Sequence, residues 1–137
     1  MSVLELNGRV FDASTTGTLT LTGEGGAATT DVTQGLGKSW VNWNGTSTAA
    51  IRDSLNHSSL TDNGTGDYTI TIASAMSNVG YCRSGMAGHA ANSQQNLSQC
   101  EDTTPATTTV ARYIISPANA SLEDSPYAGV VLHGDLA

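Results

Sequence analysis

The chain has 137 residues, enough for one independently folding core and too few for two. Only 12% of its residues are charged, 5% are aromatic, and Lys38 is the only lysine. The net charge of −7 on five scattered basic residues excludes the basic stripe that nucleic-acid binding needs, so nucleic acid is not expected as a partner. Membrane insertion is not expected either, because no apolar run reaches the roughly 18 residues of a membrane span. Met1 to Gly8 lacks the basic and apolar regions of a signal peptide, and we expect a chain made in the cytoplasm without one. So little apolar material per residue points to burial against partner subunits.

Val3-Leu4-Glu5-Leu6 alternates apolar with polar residues and meets Asn7-Gly8, a short strand with a turn signal. Thr18 to Thr22 alternates likewise and is broken by Gly23-Glu24-Gly25-Gly26, while Asp12 to Gly17 is linker-like. Residues 1–34 therefore read as an extended attachment arm, although ordinary edge strands of the main module would show the same pattern. Its core-forming side chains are Leu4, Leu6, Leu19 and Leu21. Burying four such side chains gives on the order of 6–10 kcal/mol, and ordering some 25 residues costs on the order of 25 kcal/mol. The arm is thus expected to order by adding strands to a neighbour's sheet edge.

The main module, residues 35–137, opens with Lys38 to Trp43, where both tryptophans lie three apart. In a strand that spacing sends Trp40 and Trp43 to opposite faces, so one of them is a candidate for a subunit interface. Asn44-Gly45 turns the chain and Ala49 to Asn56 resumes as a strand. The clearest hairpin follows. Asn63-Gly64 and Gly66 reach positive φ cheaply, and Tyr68, Ile70 and Ile72 then alternate with Asp67, Thr69 and Thr71. Val79 to Cys82 is a further short strand. Ser84 to Thr104 has no apolar period and reads as an inserted, exposed loop.

Thr107 to Ile115 alternates again, with apolar residues on both faces; Tyr113 and Ile115 join the interface candidates. Val130 to Gly134 is the last strand. Cys82 and Cys100 bracket the loop. Joined, they would stabilise the fold by roughly 3 kcal/mol, and the spacing leaves open whether they are bonded or free. The expected fold is all-β: a single antiparallel β-sandwich, jelly-roll or H-type-lectin-like, behind an extended N-terminal arm.

Three ordered blocks carry a resemblance. Gly35 to Thr46, Ala50 to Asn56 and Ser59 to Ile70 together resemble a module of tailed-bacteriophage virion proteins, tail-fibre-like and capsid-decorating, many from marine hosts. The resemblance covers about the last hundred residues. It implies a small antiparallel sandwich assembled as a homotrimer on the virion, with no catalytic residues and no cofactor. The chain departs from the pattern in the Ser84 to Thr104 stretch and in having no fibrous shaft before the module. A trimeric capsid decoration (cement) protein bound to the major capsid protein or another virion protein is therefore expected. The alternative is a tail-fibre or baseplate protein that binds host surface glycans.

No local motif supports an enzyme. Asp62 to Asp67 gathers two carboxylates and an amide, but it lacks the full spacing of a calcium loop and reads as a hairpin turn. His57, His89 and His133 lie in three separate segments, and Cys82, His89 and Cys100 lack a fourth ligand in register. There is no G-x-S-x-G elbow, Ser/His/Asp order or P-loop. We expect no metal.

Overall fold

The computed structural model describes residues 3–6, 9–12, 20–22, 29–89, 94–100, 105–117 and 121–137. They fall into two compact units, Met1–Leu36 and Gly37–Ala137. In the first, β1 (Val3–Leu6) pairs antiparallel with β2 (Arg9–Asp12), and β3 (Thr20–Thr22) with β4 (Thr29–Asp31). A single helical turn, α1 (Val32–Gly35), follows. The ladders are internal to the unit, with Leu4 opposite Phe11, Leu6 opposite Arg9 and Leu21 opposite Thr30. Each of these strands thus has a ladder partner within the unit, supplied by β2 and β4, which the sequence pattern does not mark. Leu19 lies outside the described residues.

The second unit is one antiparallel sheet of eight strands: β5 (Gly37–Asn44), β6 (Ala50–Leu55), β7 (His57–Gly64), β8 (Asp67–Ile72), β9 (Cys82–Gly88), β10 (Gln94–Gln99), β11 (Val110–Pro117) and β12 (Tyr127–His133). Their order across the sheet is β6-β5-β12-β9-β10-β11-β8-β7. All-β antiparallel architecture is thus present, but as a single sheet curled nearly into a barrel, not two stacked sheets. Its two edges, β6 and β7, are consecutive in the chain, and curling brings them together and shields otherwise open edges.

Alternation decides what lies inside. Val41 and Trp43 of β5, Tyr68, Ile70 and Ile72 of β8, Ala111, Tyr113 and Ile115 of β11, and Ala128, Val130 and Leu132 of β12 form the core. Trp43 is fully buried, its ring 5.9 Å from that of Tyr68 and tilted by 59°. Three of the four interface candidates, Trp43, Tyr113 and Ile115, are therefore interior residues with no surface to offer another subunit. A sheet that closes on itself keeps one face of every strand for its own core. The expected loop at Ser84 to Thr104 likewise contains β9 and β10. Their ladders to β12 and β11 hold them in place, and only Ala87 and Leu97 need reach the core.

Polar segments close both ends. At one end the Tyr68 hydroxyl lies between Asp124 Oδ1 (2.7 Å) and Gly45 O (3.0 Å), while Gly66 N donates to the same Asp124 oxygen (2.7 Å). Burial, and then Asp124, push the phenol well above its ordinary range. A Cβ on Gly45 would collide with the Tyr68 ring and hydroxyl, so only glycine fits. At the other end Tyr81 Oη donates to Thr107 O (2.9 Å) and Met76 bridges to Leu136.

The seam between the edges is built on Asn56, held at φ 56° between β6 and β7. Its Nδ2 donates to Lys38 O and Ser74 O (both 3.1 Å), and its Oδ1 accepts from Ser74 N (2.7 Å). Beside it, buried Ser39 Oγ sits 2.9 Å from His57 Nδ1 and donates to Asn56 O. Burial holds the His57 imidazole below its ordinary value, against a weaker opposing pull from Leu55 O. The unfolded chain then takes up this proton before the folded one does, so the contribution is fully present above about pH 6.5 and is lost as pH falls towards the lowered folded value. Melting temperatures between about pH 7.5 and 5 should fall on acidification, and His57→Gln should flatten that slope.

Candidate docking face

Because the barrel is filled by its own side chains, the surface available to a ligand or partner is the outer face. The residues on it follow from the register. Gly129 of β12 points outward, opposite Asn42 of β5 on one side and Met86 of β9 on the other. Along β12 itself the next outward residues are Tyr127 and Val131. A glycine ringed by four side chains leaves a hollow. An apolar groove of about 650 Å³ lies there, with Gly85 and Gly88 of β9 extending it. A Cβ on Gly129 would make only ordinary contacts, 3.4 Å from Val41 O and 3.5 Å from Asn42 Nδ2, so the hollow is not forced by the backbone.

Two apolar side chains stand beside it. Met86 is 76% exposed and Tyr127 57%. Arg52 of β6 sets the Tyr127 ring: its guanidinium carbon lies 5.1 Å from the ring centroid, and its nitrogens donate to Trp43 O (2.9 Å) and Pro126 O (2.5 Å). One step along the strands, Leu55, Trp40 and Val131 form a second outward row, in which Leu55 is 49% exposed. Trp40 is thus the interface candidate that the structure leaves facing outward. The four side chains around the hollow carry no charge.

The other candidate residues are engaged locally. Asp67 pairs with Arg112 through both carboxylate oxygens and also accepts from Asn63 Nδ2 (3.2 Å), while Asp62 Oδ1 accepts from Gly64 N (2.9 Å). The Arg112 hydrogen bond, foremost, holds the Asp67 carboxyl below its usual range. His89 Nε2 lies 3.2 Å from Glu123 Oε1, close to the end of β9 far from Cys82. Among the described residues no group of three His, Cys, Asp or Glu side chains is placed to hold a metal ion. Cys82 is exposed and Cys100 half-buried, each a free thiol.

Compared with protein-family models, curated proteins and solved structures, the chain finds no match. The face therefore has to be read from its own chemistry. Sequence reasoning found Trp40 but missed Met86, Tyr127 and Gly129, which stand in polar or glycine-rich surroundings and meet only through the strand order. The available signal was Gly129 preceding Val130-Val131, a gap in an otherwise apolar strand.

Proposed function

We propose that this chain is a non-enzymatic structural protein of a tailed-bacteriophage particle, a homotrimer that decorates the capsid as a cement protein. The observation that carries the reading is the outer face around Gly129: an apolar hollow beside protruding Met86 and bordered by Arg52, on a chain whose net charge of −7 makes self-contact elsewhere repulsive. A knob next to a hole suits a head-to-tail contact repeated around a ring. Magnitudes favour closing that ring. Burying the exposed part of Met86, Tyr127 and Leu55 is worth about 3–5 kcal/mol per contact, against about 4–15 kcal/mol for each association. A pair of copies with one contact is at or below break-even, whereas a trimer gains a third contact for only two associations. Apart from Gly35 and Leu36, the three blocks that carry the phage resemblance fall on β5 to β8 and their connections, within the barrel. The Met1–Leu36 unit is the proposed attachment element for the major capsid protein.

Light scattering on the purified chain should give a trimer at micromolar concentration, and Gly129→Leu should release monomers. The substitution fills the hollow yet should change barrel stability by only about 0.5 kcal/mol. A wild-type monomer sinks the trimer, and a trimer that survives Gly129→Leu places its interface elsewhere. Copy number per particle tests the role. Hundreds support capsid decoration, and a few dozen or fewer would instead make the chain a tail component that contacts the host surface.

A further inference from the structure

Among the described residues the ladder between β9 and β10 is the shortest in the barrel, with only Gln94 opposite Gly88 and Gln95 opposite Ala87. Carried along both strands without a shift, the same register sets Leu97 opposite Gly85 and Cys100 opposite Cys82. The structure keeps Leu97 against Gly85: Leu97 Cδ2 lies 2.7 Å from where a Gly85 Cβ would be, so the strands remain neighbours past their last hydrogen-bonded pair. Each cysteine is also tied into the sheet from its other side. Cys82 stands opposite His133 of β12, and Cys100 N donates to Arg112 O of β11 (3.0 Å). Inward residues on β9 and β10 include Ala87 and Leu97, so by alternation Cys82 and Cys100 both fall on the outer face.

We infer that Cys82 and Cys100 form a cross-strand disulfide when the protein meets an oxidising environment, a staple that closes the gap left by the short β9–β10 ladder. Residues directly opposite in antiparallel strands have Cα separations of about 4.5–5.5 Å, within the range a disulfide spans. Oxidised glutathione is a sufficient oxidant. The thiolate of exposed Cys82 attacks one of its sulfurs and displaces one glutathione thiolate. The Cys100 thiolate then attacks the mixed disulfide at the Cys82 sulfur and displaces the second. Two thiols lose two protons and two electrons, and one oxidised glutathione becomes two reduced molecules. The chain would therefore be made reduced and become stapled on leaving a reducing compartment.

The test is equilibration of the full chain with glutathione redox buffers, without denaturant and in urea, read by intact mass and by peptide mapping. The expected product has lost two hydrogens, carries no glutathione, and yields a Cys82–Cys100 linked peptide. Its equilibrium constant should be about a hundredfold higher in the folded chain than in urea, and the oxidised protein should melt on the order of 10 °C higher than the reduced one. Cys100→Ser should instead stop at a glutathione adduct on Cys82 and show no such rise. Glutathione adducts on both cysteines of the folded protein, a link between chains, or an equilibrium constant no larger than in urea would overturn the inference.

Discussion

Replacing Trp43 with alanine should destabilise the barrel by about 3–5 kcal/mol, measured by urea denaturation of the full chain. The indole is fully buried against Tyr68 at the centre of a core drawn from four strands. Removing it leaves a cavity that facing strands, each held by two ladders, cannot collapse to fill. Since a domain of this size has only about 5–15 kcal/mol of stability, the loss is a large fraction of the total. Trp43→Phe should be much milder. It gives up some buried area but also removes Trp43 Nε1, a buried N–H with no hydrogen-bond partner among the described residues, whose desolvation costs about 1–3 kcal/mol. Trp40→Ala, at a partly buried position on the outer face, should cost the barrel clearly less than Trp43→Ala and weaken self-association. Equal losses at positions 40 and 43 would mean that the assignment of inner and outer faces is wrong.

The second large effect is expected at Asn56, where the sheet's two edges meet. Asn56→Ala should cost about 2–4 kcal/mol, most of it from three lost side-chain hydrogen bonds, with a smaller part because alanine tolerates the left-handed backbone less well than asparagine. Asn56→Gly loses the same hydrogen bonds but eases the backbone, and should cost about 1 kcal/mol less than the alanine change. Asn56→Asp is the sharper probe. It retains the acceptor for Ser74 N but turns a second oxygen towards the Lys38 and Ser74 carbonyls, so at neutral pH it should be at least as harmful as alanine and should recover on acidification, as the carboxyl gains a proton to donate. Thermal melts at two pH values separate these cases. If the three variants lose the same amount, the side chain is not what holds the seam.

Strands whose inward side chains are large were legible from sequence: Tyr68, Ile70 and Ile72 mark β8, and Ala111, Tyr113 and Ile115 mark β11. The stretch read as a loop was not, because β9 and β10 turn only small or isolated residues inward, Ala87 and Leu97 among them, and their order comes from flanking ladders that no local pattern records. Barrel closure was illegible for a related reason. It rests on one asparagine making contacts 18 residues away in both directions, whereas period-two alternation is the same for a sandwich and a barrel. The docking face was hidden most completely, since Asn42, Met86 and Gly129 come from three distant parts of the chain and become neighbours only through the order β5-β12-β9.

The first and last strands of the barrel, β5 and β12, lie side by side, with Gly37 opposite His133. A load applied to the barrel through these two ends would act across the strands, not along them. Once the bridge from Leu136 to Met76 had given way, the β5–β12 ladder would open one pair after another from Gly37 inward, like a zip, with no stage at which all its hydrogen bonds share the force. Mechanically the unit is compliant when pulled from its ends, so in an assembly under internal pressure its resistance would have to come from contacts made across its outer face.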